Sequence, residues 1–230
     1  MDPFSSRSTQ SEMLDTDLPA KDVLDSLNFM IFVNTFFGGK RTVLNYFEKH
    51  GTPEKFSVLD LGSGAGDIPF ALARWAAKRK KEVQITAIDL NPHCQAYAKT
   101  RFACPQIKFI RHSAFDLDTL GHFDYIISSM FFHHLPDEEI VRLLDIVRRH
   151  SRRGFLISDL YRCRRNYWGA LLLAGLTFKK VIINDAALSV LRAFKEKDFM
   201  NYRKNSKVSF EIQRHPLFRV VMSRHDLRPD

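Results

Sequence analysis

The sequence predicts an α/β fold, with a mostly parallel sheet, helices on both faces, an antiparallel C-terminal hairpin and a small N-terminal helical cap. Three observations predict it. Short apolar runs of the kind buried strands use alternate with amphipathic helical stripes between residues 56 and 159. A glycine-rich bend joins the first run to the first of these helices. Two later β-type runs are separated by Arg214-His215-Pro216-Leu217, the spacing of a hairpin. With 230 residues, 45% hydrophobic and 27% charged, the chain has enough apolar surface to bury one such core.

The elements follow in order. Residues 1–18 are rich in Ser, Thr and Asp and are expected to form a poorly ordered tail. Residues 19–50 form the cap. Val23, Leu27, Met30 and Ile31 lie on one helical stripe, Gly38-Gly39 interrupts it, and Val43, Leu44 and Phe47 resume it. Residues 51–230 form the main domain. Residues 56–61 read as a buried strand. Ile68, Ala71, Leu72 and Trp75 mark one helix face, and the cations of residues 78–81 suit the negative end of its dipole. Strands are expected over 83–90, 107–111, 123–128 and 155–159. Helices are expected over 92–102, from Asp137 through Val147, over 168–176 and over 196–203. Residues 208–213 and 218–222 make the hairpin.

Composition narrows the function. The chain carries a net charge of +9. Residues 1–139 hold 15 Lys+Arg and 18 Asp+Glu, a net −3, whereas residues 140–230 hold 20 and 8, a net +12. The basic half includes Arg142, Arg148, Arg149, Arg152, Arg153, Arg162, Arg164 and Arg165, and reads as a solvated face. No nucleic-acid-binding module is legible, so a nucleic-acid partner is not expected. Cys94, Cys104 and Cys163 are odd in number and lack CxxC spacing, which argues against a disulfide framework or a cysteine metal site and fits a reducing compartment. No secretory leader is visible, and the apolar run over 167–178 is far shorter than the roughly 20 residues a bilayer requires. A cytoplasmic protein without a metal is expected.

The most informative stretch is Val58-Leu-Asp-Leu-Gly-Ser-Gly-Ala-Gly-Asp67. Gly62, Gly64 and Gly66 let the backbone turn sharply and approach a ligand closely. The following helix start offers unpaired N–H groups. The GxGxG spacing, with Asp67 where a third Rossmann glycine would stand, disfavours a nicotinamide dinucleotide. Asp89 ends the next strand, where a carboxylate can accept both hydroxyls of a ribose; its alternative role is to cap the helix that starts at Pro92. Asp60, within the first strand, reads as a structural acid bonding loop amides or a ligand amine.

LDLGSGAGD, the acid of IDLNP and the strand FDYIISSMFFHHL together resemble the motifs of class I S-adenosylmethionine-dependent methyltransferases. NTFFGGKR, SSMFFHHL, ISDLYR and LSVLRAF are similar to small bacterial methyltransferases associated with type III polyketide synthases, relatives of the ubiquinone/menaquinone C-methyltransferases. The resemblance covers about residues 55–225. It implies a Rossmann-like seven-stranded methyltransferase sheet with S-adenosyl-L-methionine as cofactor. It places Gly62, Gly64 and Gly66 against the methionine part of that cofactor, Asp60 near its amino group, Asp89 on the ribose and Leu90 on the adenine. Ser113 and Ala114 follow the third strand, where such enzymes usually carry an acid for the adenine amino group. Here Ser113 holds that position, and a backbone carbonyl, Ser113 or the displaced Asp116 is left to serve. Ser129 and Met130 would approach the transferred methyl.

Methyl transfer from a sulfonium is a displacement that requires no metal. A phenol, enol or acid acceptor also loses a proton. His133, His134 and Asp159 are the candidate bases, each with a structural alternative in loop packing, capping or pairing with arginine. Residues 167–178, with Phe36, Phe37, Phe131 and Phe132, are expected to wall an apolar pocket for a phenolic, quinone or polyketide acceptor. Flanking Arg162, Arg164, Arg165, Lys179 and Lys180 leave open a weak contact with an anionic membrane surface. Two rival readings are an RNA methyltransferase using the basic half and a catalytically inactive cofactor-binding scaffold. The absence of an NPPY-like motif, with SSMF in its place, argues against the first.

Overall fold

The computed structural model describes residues 2–206 and 208–226. Seven strands, β1 (Lys55–Leu61), β2 (Glu82–Asp89), β3 (Ile107–Arg111), β4 (Phe123–Ser129), β5 (Ser151–Leu160), β6 (Glu211–His215) and β7 (Arg219–His225), form one sheet in the order β3-β2-β1-β4-β5-β7-β6. The first five are parallel; β7 runs antiparallel to both β5 and β6. The helices are α1 (Ala20–Phe36), α2 (Gly39–His50), α3 (Asp67–Lys78), α4 (Pro92–Arg101), α5 (Asp137–His150), α6 (Arg164–Gly175), α7 (Lys180–Arg192) and α8 (Glu196–Ser206). The expected seven-stranded Rossmann-like sheet with its antiparallel hairpin is present.

Strands covered on both faces need apolar residues at successive positions. In β1, Val58 and Leu59 are both fully buried but belong to different clusters, because neighbouring side chains point to opposite faces. Leu59 joins Leu143, Leu144, Val147 and Phe199 beneath α5 and α8. Val58 joins Phe47, Leu72 and Trp75 beneath α2 and α3. Ile140, Leu143, Leu144 and Val147 are wholly buried along one face of α5. Each such side chain contributes about 1.5–3 kcal/mol relative to exposure. Asp137, Glu138 and Glu139 in the first turn and Arg148, Arg149 and His150 in the last complement the helix dipole. No helix among the described residues is long and apolar enough to cross a membrane.

Four expectations are corrected. Residues 2–18 are docked rather than loose. Arg7 Nη2 donates to the carbonyls of His133 (3.0 Å) and Leu135 (2.9 Å), and Glu12 is buried. These anchors are polar, so their burial leaves no hydropathy signal; Met1 lies outside the described residues. The cap is also composed differently: α2 shares the main core with β1 and α3, whereas α1 packs with α7, itself packed on α6, over the C-terminal strand ends. Helix α7 was not anticipated. Finally, the hairpin is shifted. Its first strand begins at Glu211, and the turn is 216–218 with Leu217 and Phe218 at φ 62° and 58°. Val208 and Phe210 are apolar because they fill the core near Phe199, not because they alternate along a strand.

Candidate functional site: two cavities with a common wall

Strand order reverses direction between β1 and β4, and the ends of these strands open a crevice where α/β sheets bind ligands. After Leu61 the chain turns through Gly62 (φ 64°), Gly64 (φ 51°) and Gly66 (φ 82°) into α3. A Cβ on Gly62 would lie 2.5 Å from the Phe131 ring, and one on Gly66 would lie 2.8 Å from Phe109. The first glycine therefore admits a ring from the β4 loop, and the third lets α3 sit close to the sheet. Asp89, at the tip of β2, accepts the Gly64 amide at 2.8 Å and the Asn91 amide at 2.9 Å. It pins the bend across the crevice. Asn91, not Asp89, caps α4, accepting the His93 amide at 2.9 Å.

A cavity of about 470 Å³ lies over this bend, lined by Gly62, Gly64, Asp89, Leu90, Ser113, Ala114, Met130, Phe131 and His134, among others. Leu90 is 60% exposed and forms one side. Ser113 Oγ accepts the Phe115 amide at 3.2 Å. Asp116 lies outside the lining; its carbonyl meets His112 Nε2 at 2.6 Å. Asp60 is buried beneath the bend, and its Oδ2 has no hydrogen-bond partner among the described residues. Burial, then the charges of Asp67 and Asp89, push the Asp60 carboxyl well above the usual carboxylate range. Burial also raises Asp89, against its two amide bonds, and Asp67, against Lys40 and Asn34. Three carboxyls around one glycine bend repel a phosphate and favour a ligand that brings positive charge.

A second cavity, of about 190 Å³, adjoins the first, and Leu14, Met30, Met130 and His134 line both. Met130 occupies the divide at φ 56°, a conformation non-glycine residues rarely adopt, and its amide donates to the Ser158 carbonyl at 3.0 Å. The second cavity is walled by Phe29, Val33, Phe37, Leu160, Leu173 and Ile182. Helix α6 contributes Gly169, Ala170 and Leu173.

Polar groups gather at one side of this cavity. His133 is buried; its Nδ1 lies 2.7 Å from Asp159 Oδ1 and its Nε2 3.5 Å from Glu12 Oε1. Burial depresses an imidazole, but the Asp159 and Glu12 carboxylates outweigh it and raise His133 to about 10. Burial raises Asp159, but the His133 charge and hydrogen bond bring it below the usual range. Glu12 is likewise lowered, the two imidazoles overcoming burial. His134 Nδ1 meets Asp15 Oδ1 at 2.7 Å. Ligand-capable atoms of Glu12, His133 and His134 lie within 4.8 Å of one another, a spacing that sequence reasoning, expecting no metal, did not foresee. Ion pairing accounts for it: the imidazolium of His133 offsets carboxylates on both sides.

The structure thus brings Gly62, Gly64, Asp89, Leu90, Ser113 and Ala114 to one cavity, His133 to its neighbour, and Met130 and His134 to both. Asp60 and Gly66 support the bend from below. Asp159 does not line either cavity and reaches them through His133. Ser129 lines neither, and its Oγ has no partner among the described residues. Of the expected aromatic wall, only Phe37 lines the apolar cavity. Phe131 lines the other, Phe132 is core, and Phe36 (66%) and Trp168 (63%) face outward. Arg162, expected on a basic flank, is fully buried and paired with Asp198 at 3.0 Å. Sequence reasoning missed Glu12, Met30 and Arg219. Their only signal is charge or sulfur beside apolar stripes.

Residues 58–154 match the family described as a methyltransferase domain. No curated protein matches the chain by sequence. Among solved structures, the chain is similar to magnesium protoporphyrin IX methyltransferase from Synechocystis PCC 6803 with bound S-adenosylhomocysteine (15% identity, 94% of this chain and 88% of that one, TM-score 0.57). It is similar to a SAM-dependent methyltransferase from Aquifex aeolicus (15%, 90% and 98%, TM-score 0.62). It is also similar to human N-acetylserotonin methyltransferase in complex with SAM (20%, 94% and 62%, TM-score 0.61). At these identities the likeness is one of fold. The match covers residues 58–154, and the described elements around them complete the fold those structures share.

Proposed function

We propose that this protein is an S-adenosylmethionine-dependent methyltransferase that methylates an oxygen or carbon of a hydrophobic small molecule of phenolic, quinone or polyketide type. One observation carries the reading. A glycine-floored cavity rich in carboxyls and a smaller apolar cavity share Met130 as their common wall. A donor in the first and an acceptor in the second would meet there. The finer likeness to polyketide-associated and quinone methyltransferases rests on the sequence motifs and on the apolar lining. The solved relatives named for porphyrin and N-acetylserotonin act on small molecules, which supports the same substrate size. Three free cysteines, Cys94, Cys104 and Cys163, fit a cytoplasmic setting.

The residues fit the donor. The unpartnered Asp60 Oδ2 and the raised carboxyls of Asp67 and Asp89 favour a ligand carrying ammonium and sulfonium charge. Asp89 would take the ribose hydroxyls, each oxygen keeping a lone pair beyond its amide bond. Leu90 would cover one adenine face, and Ser113 and Ala114 would edge the other side. When bound, the donor supplies an electrophilic methyl on a positive sulfur. The chain's work is alignment, and well-aligned reactants gain about 7–11 kcal/mol of barrier reduction. His133 would take the acceptor's proton at Nε2, with Asp159 orienting the ring through Nδ1 and Glu12 controlling when Nε2 is free.

Calorimetric titration of the folded protein with S-adenosylhomocysteine tests this reading. Micromolar binding is expected, and no detectable heat at millimolar ligand would end it.

A further inference from the structure

Arg219, the first residue of β7, is 1% exposed, yet it lines the apolar cavity. Its Nε donates to the Phe37 carbonyl at 3.0 Å. Its Nη2 donates to Asn34 Oδ1 at 3.3 Å and contacts Met130 Sδ at 3.4 Å. Its Nη1 is buried with no hydrogen-bond partner among the described residues. No carboxylate among the described residues forms an ion pair with it. Asp159 and Asp67 act on it only through their fields, and burial brings the guanidinium down to about 10. A buried cation with a free N–H, in a cavity walled mostly by carbon apart from the polar side around Glu12 and His133, is unfavourable unless a ligand completes it.

Two features show that the site is built. The strained turn at Leu217 and Phe218 delivers Arg219 into the cavity, and both residues line it too. Asn34, which holds Nη2, is itself held by Asp67: its Nδ2 donates to Asp67 Oδ1 at 3.3 Å. Arg219 is therefore fixed through α1 to the start of α3, next to the glycine bend.

We propose that Arg219 is an anion anchor, and that the molecule taken by the apolar cavity carries an ionised oxygen, a carboxylate or an acidic phenolate or enolate, which accepts from Nη1. This rests on the cavity being the acceptor site. Contact of Nη2 with Met130 puts that oxygen beside the wall shared with the donor cavity. An acceptor anchored there presents an electron-rich group at the point of transfer, and a neutral hydrocarbon leaves Nη1 unpaired.

The test compares two ligands of one shape, 4-pentylbenzoate and 4-pentylbenzamide, by calorimetry on the full chain saturated with S-adenosylhomocysteine. The benzoate should bind at least about tenfold more tightly, in keeping with a charge-assisted hydrogen bond. Arg219→Met should erase that preference while leaving the benzamide within about twofold, and Arg219→Lys should keep part of it. Equal binding of the two ligands by the native protein overturns the inference, as does a preference that survives in Arg219→Met. If Arg219→Met does not fold, the native comparison and Arg219→Lys decide alone, and a lysine variant with the full native preference also overturns it. Binding of S-adenosylhomocysteine without benzoate preference defeats this inference and leaves the proposed function standing. Benzoate preference without S-adenosylhomocysteine binding does the reverse.

Discussion

The carboxylate of Asp89 accepts the amide of Gly64 at 2.8 Å across the crevice between β2 and the bend after β1. One side chain therefore both shapes the glycine turn and faces the cavity above it. Asp89→Ala would remove the proposed charge-assisted contact to a ribose and free the Gly64 amide. S-adenosylhomocysteine binding should weaken by more than about 1 kcal/mol, as expected for loss of one such bond. Asp89→Asn should lose less, since it retains an acceptor oxygen. Unchanged affinity in the alanine variant would mean that the ribose lies elsewhere.

Asp60 makes the opposite kind of prediction. Burial, with the charges of Asp67 and Asp89, holds its carboxyl well above the usual carboxylate range, so the folded protein keeps a proton that the unfolded chain gives up. Stability then falls as pH rises from about 3.8 toward the folded value. Asp60→Asn removes this cost. The variant should melt at a higher temperature than the native protein at neutral pH, and the difference should shrink as pH drops toward 4. Ligand-free melting curves across that range decide it. A variant that melts lower at pH 7 would show Asp60 ionised and usefully paired.

Arg7 ties the N-terminal segment to the site. Beyond the carbonyls of His133 and Leu135 it donates its Nε to the Arg192 carbonyl at 2.7 Å and meets Asp137 Oδ1 at 2.5 Å and Tyr202 Oη at 3.1 Å, and its side chain is only 9% exposed. Arg192 donates its Nε to the same His133 carbonyl at 3.0 Å. Arg7→Ala leaves those acceptors with fewer donors and should cost about 1.5–3 kcal/mol, the usual range for hydrogen bonds from a charged group. Urea denaturation measures this directly. The segment should also resist thermolysin, which cuts before Leu and Phe, in the native protein and become cleavable in Arg7→Ala, because freeing it exposes Leu14 and Leu18, which are partly buried in the native fold.

How far sequence carried the interpretation follows from the range of each interaction. The strand, glycine bend and helix around Gly62–Gly66 are encoded within ten residues, and Asp89 sits at a strand tip that hydropathy locates. These were legible. Arg7 reaches His133 across 126 positions, and Ser189 Oγ donates to Glu12 at 2.9 Å across 177. No local pattern predicts such pairs. Arg219 looked like an ordinary cation at the edge of a hairpin. Only the register of β7 against β5, which pairs it with Leu160 at the strand end, turns it inward. Helix α7 escaped because Ala186, Ala187 and Ser189 dilute its apolar stripe.

The Glu12–His133–Asp159 array yields a pH prediction with two readouts. An unfolded imidazole titrates near 6.5, and the folded one near 10. Between those values only the folded protein keeps the proton, so the stability this group contributes is complete below about 6.5 and is lost as pH rises toward about 10. His133→Gln should flatten the decline, and urea midpoints across the window would reveal it. Glu12→Gln removes one of the two carboxylates holding the proton, so the upper end of the window should move down. Catalysis should respond in the same direction. If His133 accepts the acceptor's proton, the turnover of a phenolic substrate rises as the imidazolium ionises, and in Glu12→Gln that rise comes at lower pH. The acceptor's own ionisation is common to both proteins and cancels in the comparison. A profile that Glu12→Gln leaves in place would remove His133 from the proton's path and leave it a buried structural ion.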